Sequence, residues 1–348
     1  MLWSLEHTFQ RIRRHVPAAL VTPGAWKSVL GAARRLPPAV SCTFLECRLG
    51  PDAPAVDLGV SVTAAEGRPI LQAATPADLR LSGEEAAIWG RVQEIARVWA
   101  DPASPLHDRV PVVSLELDSG EITRGRLMPS VALCLDPSLM KRSSPPDAIG
   151  HGLADCAPSL EAGLSVLSSE PLTPHARADL HRCFEALPAG GRVVHVGFMV
   201  GRRPSALKLF AAMDKDKVLG YLDAIRWPGS FAEAASMIAT FGSGPDTFRL
   251  ELTIGERLLP RVGLEFSSRR GPDPARRALI GRCVDEGLCT PEKRDALLSW
   301  PGSARVAIAG NDWPARLSRW IDMKVVHDPP EPLEAKCYLG FMSHLSLM

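Results

Sequence analysis

The sequence is poor in tyrosine, with two in 348 residues, and it lacks a charge excess, with 40 lysines and arginines against 39 aspartates and glutamates. Near-neutrality argues against nucleic-acid binding, which draws most of its affinity from neutralising phosphates. Short basic clusters such as Arg11-Ile12-Arg13-Arg14 and Arg269-Arg270 read as solvated helix and loop positions. No Cys-x-x-Cys occurs among the eight cysteines and no histidine pair has zinc-finger spacing. No metal site is therefore expected, and the thiols read as reduced and mostly buried. A Gly-x-Gly-x-x-Gly motif and a Walker A loop are both missing, so those routes to nucleotide binding have no support. No stretch approaches the roughly 20 apolar residues of a membrane span. The N-terminal segment combines helical periodicity with Glu6 and has no secretory apolar run, so the expected location is the cytoplasm.

What is present is repetition: a helical stretch, two alternating strands, then more helix. Period-two segments fall at 42–49 and 56–63, 112–118 and 130–136, 192–200 and 206–213, 247–254 and 261–267, and 320–327 and 333–341. A further stretch at 304–309 has strand character, and its place is left open. Helical periodicity occupies 2–16, 25–36, 173–187, 216–226, 230–241, 274–286 and 291–300. Ser82-Gly83-Glu84-Glu85 is a capping box opening another helix, with Ile88, Val92, Ile95 and Trp99 on one face. A Ser-Gly turn is expected after residue 118, and prolines make 143–171 an irregular excursion. Leu-Glu recurs inside or at the edge of the strands, at Leu45-Glu46, Leu115-Glu116, Leu250-Glu251, Leu264-Glu265 and Leu333-Glu334.

Because side chains alternate across a strand, each such segment has an apolar face and a polar one. Leu115 and Leu117, Leu250 and Leu252, and Val262, Leu264 and Phe266 offer one face to amphipathic helices. The other carries Glu46, Arg48, Asp57, Ser114, Glu116, His195, Lys208, Arg249, Glu251, Glu265, Asp322, Lys324, Glu334, Lys336 and Tyr338. An open sheet could show that face to bulk water. A closed barrel instead removes the exposed edges, and ten strands leave room for a ligand. The expected fold is therefore α+β: one domain over residues 1–348, with repeated αββα units forming a ten-strand antiparallel β-barrel, helices outside and a charged lumen.

Five helix-strand-strand repeats around a polar lumen resemble the aromatic prenyltransferase barrel, the αββα fold also found in indole and cyanobactin prenyltransferases. That family binds a diphosphate with inward Lys, Arg and Tyr, often as Lys-x-Tyr, and Lys336-Cys337-Tyr338 has this form. The resemblance implies ligand contacts from Lys208, Arg249, Glu265, Lys324, Lys336 and Tyr338, and a carboxylate, Glu46 or Glu116, that orients or deprotonates the nucleophile. It also implies an allylic diphosphate with Mg2+. The scarcity of tyrosine and the many inward carboxylates point elsewhere. They suggest a barrel that keeps the architecture and holds a peptide or peptide-like substrate of a modified-peptide pathway, with prenyl transfer as the alternative.

Other constellations carry less. Gly150-His151-Gly152 with Asp155 and Cys156 reads as a glycine loop beside a buried thiol. His195 and His327 could meet acids only if the fold brings them together. The repeated Trp-Pro-Gly-Ser, at 227–230 and 300–303, reads as a helix stop and restart with the tryptophans as anchors.

Overall fold

Alternating residues become strands in the computed structural model, which describes residues 4–37, 42–51, 54–73, 81, 83–136, 153–168, 170–201, 206–242, 247–267, 274–308 and 311–345. The strands are β1 (Cys42–Arg48), β2 (Val56–Thr63), β3 (Val112–Leu117), β4 (Pro129–Cys134), β5 (Arg192–Phe198), β6 (Leu207–Ala212), β7 (Thr247–Ile254), β8 (Leu258–Ser267), β9 (Gly302–Ile308), β10 (Asn311–His327) and β11 (Glu334–Leu345). Strands β1 to β8 pair antiparallel in chain order, β8 pairs with β10, β10 with β11, and β11 returns to β1. The sheet therefore closes as a ten-strand antiparallel barrel, as the alternation predicts.

The segment around 304–309 proves to be an eleventh strand outside the ring. β9 pairs with the first half of β10, Val306 opposite Ala315 and Gly302 opposite Arg319, whereas Asp322 to His327 pair with β8. β10 thus starts well before the expected residue 320. Ala315 and Leu317 are buried on one side and Arg316 is exposed on the other. A register shift between Asn311 and Ala315 accommodates Pro314, which has no N–H for the ladder.

Helices cover the outer face: α1 (Leu5–Ile12), α2 (Pro23–Arg35), α3 (Ala64–Ala73), α4 (Gly83–Ala100), α5 (Pro105–Arg109), α6 (Ser119–Thr123), α7 (Leu153–Leu167), α8 (Pro174–Glu185), α9 (Val218–Ala224), α10 (Phe231–Phe241), α11 (Pro274–Asp285) and α12 (Pro291–Ser299). Thr22, Thr173, Ser230 and Thr290 each accept a backbone N–H at a helix start, three of them followed directly by proline. On α4 the expected face of Ile88, Val92, Ile95 and Trp99 is buried; the capping residue Ser82 lies outside the described residues. None of the described helices is long and apolar enough to cross a membrane.

Two local expectations change. Where an irregular excursion was expected, residues 153–167 form α7 with Pro158 inside it, while 137–152 lie outside the described residues. Leu160, Leu164 and Leu167 are buried on α7. At about 1.5–3 kcal/mol each, they outweigh the ~3 kcal/mol an interior proline costs. The turn after β3 is the short helix α6, whose Ser119 amide donates to Asp57 Oδ1 at 2.7 Å.

The Leu-Glu repeat acquires a physical meaning: Leu45, Leu115, Leu250 and Leu264 are at most 2% exposed beneath the helices, and the adjoining glutamates point into the barrel. Trp300, at the end of α12, is buried against the wall. Its Nε1 donates to the Trp320 carbonyl at 2.9 Å and its ring meets Phe341, which also receives Phe9 of α1 edge-on at 5.4 Å. Ser230 caps α10 as expected, but the second Trp-Pro-Gly-Ser leads into a strand, β9.

Candidate lumen site

Strand register gathers the inward residues into a girdle. Glu46 stands opposite both Tyr338 and Asp57, Glu116 opposite Gly59 and Ser130, and Gly197 opposite Lys208. Glu251 stands opposite Phe210 and Gly263, and Glu265 opposite Arg249 and Lys324.

The two halves of this girdle differ. From β2 to β5 the residues are small: Gly59, Ser61, Ser114, Ser130, Ala132 and Gly197, with the Ser61 and Ser114 hydroxyls 2.7 Å apart. The larger side chains on this half are Asp57, His195 and Glu116, and although the wall surrounds Glu116, its surface is exposed, with solvent-sized space in front of it. Burial within the protein raises its carboxyl, Glu46 and Glu251 push the same way, and Lys208 and Lys324 oppose them.

The other half is crowded with charge. Lys208 lies 3.4 Å from Glu251, and Lys324 contacts Glu251 while donating to Tyr338 Oη at 3.1 Å. Arg249 meets Glu265 at 2.5 Å. Lys336 donates to Glu46 at 3.1 Å and lies 3.2 Å from Glu334, and Arg48 pairs with Asp57 at 2.8 Å. Burial alone would raise the Glu46 carboxyl, but Lys336, then Lys324, Lys208 and Arg48, outweigh it and hold it down at about 2. Burial lowers Lys208, whereas the carboxylates of Glu251, Glu46 and Glu265 overcome burial and raise Lys324. Tyr338 is driven well above its ordinary value, by burial first and then by Glu46, Glu265 and Glu251, so it remains a neutral phenol.

Aromatic faces are more abundant than the tyrosine count implies. Lys324 Nζ lies 5.3 Å from the Phe210 ring centre and 5.8 Å from that of Tyr338, and Phe44 meets Trp320 edge-on at 5.6 Å. The signal was available in the sequence: Phe44, Phe210 and Trp320 each stand two residues from a charged inward position, on the same strand face.

The structure brings Glu46, Lys208, Lys324, Lys336 and Tyr338 together around one space, with Glu116 facing them. Arg249 and Glu265 form their own pair, where Asp322 acts on Arg249. Sequence reasoning missed Arg261 of β8, which lies 3.5 Å from Glu251 and also contacts Asp328.

His195 packs edge-on against Phe210, and burial, with Arg249 second, lowers it to about 3. His327 instead pairs with Glu233 of α10 at 2.9 Å. Among the described residues no three His, Cys, Asp or Glu side chains gather as a metal-binding set. His151 lies outside the described residues; Cys156 is buried on α7, and its thiol is pushed up to about 11 by burial.

No protein-family model matches the chain, and no curated protein sequence does. Solved structures do match it along almost its whole length. The prenyltransferase PriB in its apo form shares 14% identity with a TM-score of 0.57, covering 97% of this chain and 96% of its own. The 5-dimethylallyl tryptophan synthase from Streptomyces coelicolor, in complex with DMASPP and Trp, shares 16% identity with a TM-score of 0.50, over 97% and 95%. The chain has the aromatic prenyltransferase barrel fold, as the helix-strand-strand repeats indicate.

Proposed function

We propose that the lumen transfers a prenyl group from an allylic diphosphate to an aromatic acceptor. The observation that carries this reading is the division of the girdle: cations and aromatic faces on one half, open space before a carboxylate on the other. Lys208, Lys324, Lys336 and Arg261 neutralise the diphosphate, to which Tyr338 donates its phenolic proton as a hydrogen bond. As the allylic C–O bond breaks, the diphosphate leaves with the electron pair. Phe210, Phe44 and Trp320 shield the allyl cation and exclude water. The acceptor occupies the small-residue half, where its ring carbon attacks and Glu116 takes the released ring proton. Glu116 suits this role better than Glu46, which is locked to Lys336. The lumen carboxylates Glu46, Glu251 and Glu265 are each matched to a cation of this chain, so a Mg2+ would be held by the oxygens of the diphosphate, where it would add to the neutralisation of the leaving group.

The test is incubation of the purified chain with dimethylallyl diphosphate and aromatic acceptors, tryptophan among them, with mass spectrometry for a prenylated product. Product lost in Lys324→Met and Glu116→Gln supports the reading. A second reading, a barrel that holds a peptide, rests on the carboxylates already matched to the lumen lysines. Peptide binding with neither diphosphate affinity nor product would replace the first reading with the second.

A further inference from the structure

Glu251 stands apart from the other lumen acids. Its side chain is 0% exposed, and it contacts cations from three different strands: Lys208 of β6 at 3.4 Å, Arg261 of β8 at 3.5 Å, and Lys324 of β10. Lys324 does not come from a strand adjacent to β7. It reaches across β8 above Gly263, where an added Cβ would sit 3.4 Å from Lys324 Cε and 3.2 Å from Glu251 Cβ. The missing side chain at Gly263 is what lets the three cations converge. One carboxylate thus faces three positive groups. Arg261 has a second acid in Asp328 and Lys324 a hydroxyl in Tyr338, whereas Glu251 is the acid within reach of Lys208 among the described residues.

Three cations focused on one buried carboxylate form an anion receptor that already contains its anion. We propose that Glu251 is a resident counter-anion filling a latent phosphate site made by Lys208, Lys324 and Arg261, and that a pyrophosphate-type ligand enters by displacing it. This deepens the prenyl-transfer reading and rests on it for biological purpose. Physically it concerns inorganic anion binding alone. In the free protein the carboxylate prevents three buried cations from repelling one another, and it competes with every incoming anion. Anion affinity is then set by how readily Glu251 withdraws, and Glu251 determines which ligands the lumen accepts.

The test is calorimetric titration of inorganic pyrophosphate, with no allyl group or acceptor present, into wild type, Glu251→Gln, Glu251→Asp and the double variant Lys208→Met/Glu251→Gln. Removing the competing charge is expected to tighten pyrophosphate binding about tenfold or more in Glu251→Gln. Glu251→Asp keeps the charge but draws it back by one methylene, so a smaller gain is expected. The double variant falls back toward wild type. A Glu251→Gln protein that folds only with pyrophosphate or sulfate supplied is the same effect seen as rescue. Wild-type affinity in both Glu251→Gln and Glu251→Asp overturns the proposal. So does a Glu251→Gln protein that no anion rescues, together with an unchanged Glu251→Asp. Because no product is measured, failure here is separate from failure of prenyl transfer: tight anion binding without product sinks only the catalytic reading.

Discussion

His195 makes the lumen acid-sensitive, and the size of the effect follows from its surroundings. Its ring lies inside the wall, edge-on to Phe210 of β6 and opposite Cys134 of β4, with Arg249 of β7 opposing protonation and Asp136 favouring it. Burial and then Arg249 hold the folded imidazole at about 3, against 6.5 for the ordinary group. Between these values the unfolded chain binds a proton that the folded chain does not, so stability falls as pH falls through that window. From about pH 7 to about pH 4 the loss from this one residue is about 3 kcal/mol. Glutamine at this position occupies similar space and does not titrate. Urea unfolding of wild type and His195→Gln at both pH values isolates the effect, because the other titrating groups cancel in the comparison. Relative to wild type, His195→Gln is expected to gain about 3 kcal/mol on going from neutral to acid. An identical difference between the two proteins at both pH values would refute the reasoning, and would mean that the folded lumen protonates His195 freely.

The salt-bridged carboxylate Glu46 has the opposite electrostatic origin and the same sign. Its folded value of about 2 lies below the ordinary 4.5, so its contribution is present above that pH and is lost as pH falls towards about 2. Glu46→Gln is expected to remove on the order of 2 kcal/mol of this acid dependence, measurable in melts at neutral and acid pH. Gly340→Ala places a Cβ 2.3 Å from an indole carbon of Trp320 and is expected to cost about 1–3 kcal/mol, with the cost relieved in a Trp320→Ala background when the cycle is measured by denaturant unfolding. Trp300→Phe keeps a ring against Phe341 but leaves the Trp320 carbonyl without its indole donor, a loss of about 1–2 kcal/mol in the same assay.

Strand alternation by itself determines much of this protein. Leu250 and Leu252 had to face the helices and Glu251 had to face the other way, because a residue slip would bury the charge among apolar side chains. The stop and restart at residues 227–230 placed the start of α10 for an equally local reason. The lumen membership of Glu46, Lys208, Lys324, Lys336 and Tyr338 follows from the same period of two. Local pattern misjudged residues 153–167, where the burial of Leu160, Leu164 and Leu167 against other elements overrides Pro158. It also could not locate β9, because its partner, the first half of β10, is defined only once β8 has ended. Which lumen groups meet was beyond the sequence altogether. Lys324 and Glu251 are 73 positions apart, and their contact depends on β10, with β9 left outside the ring, pairing with β8, and on the absent side chain of Gly263 between them. Periodicity determines the face on which a charge lies; only the pairing of the strands decides which opposite charge it finds there, since contact across a lumen depends on the distance between strands that are not neighbours in the chain.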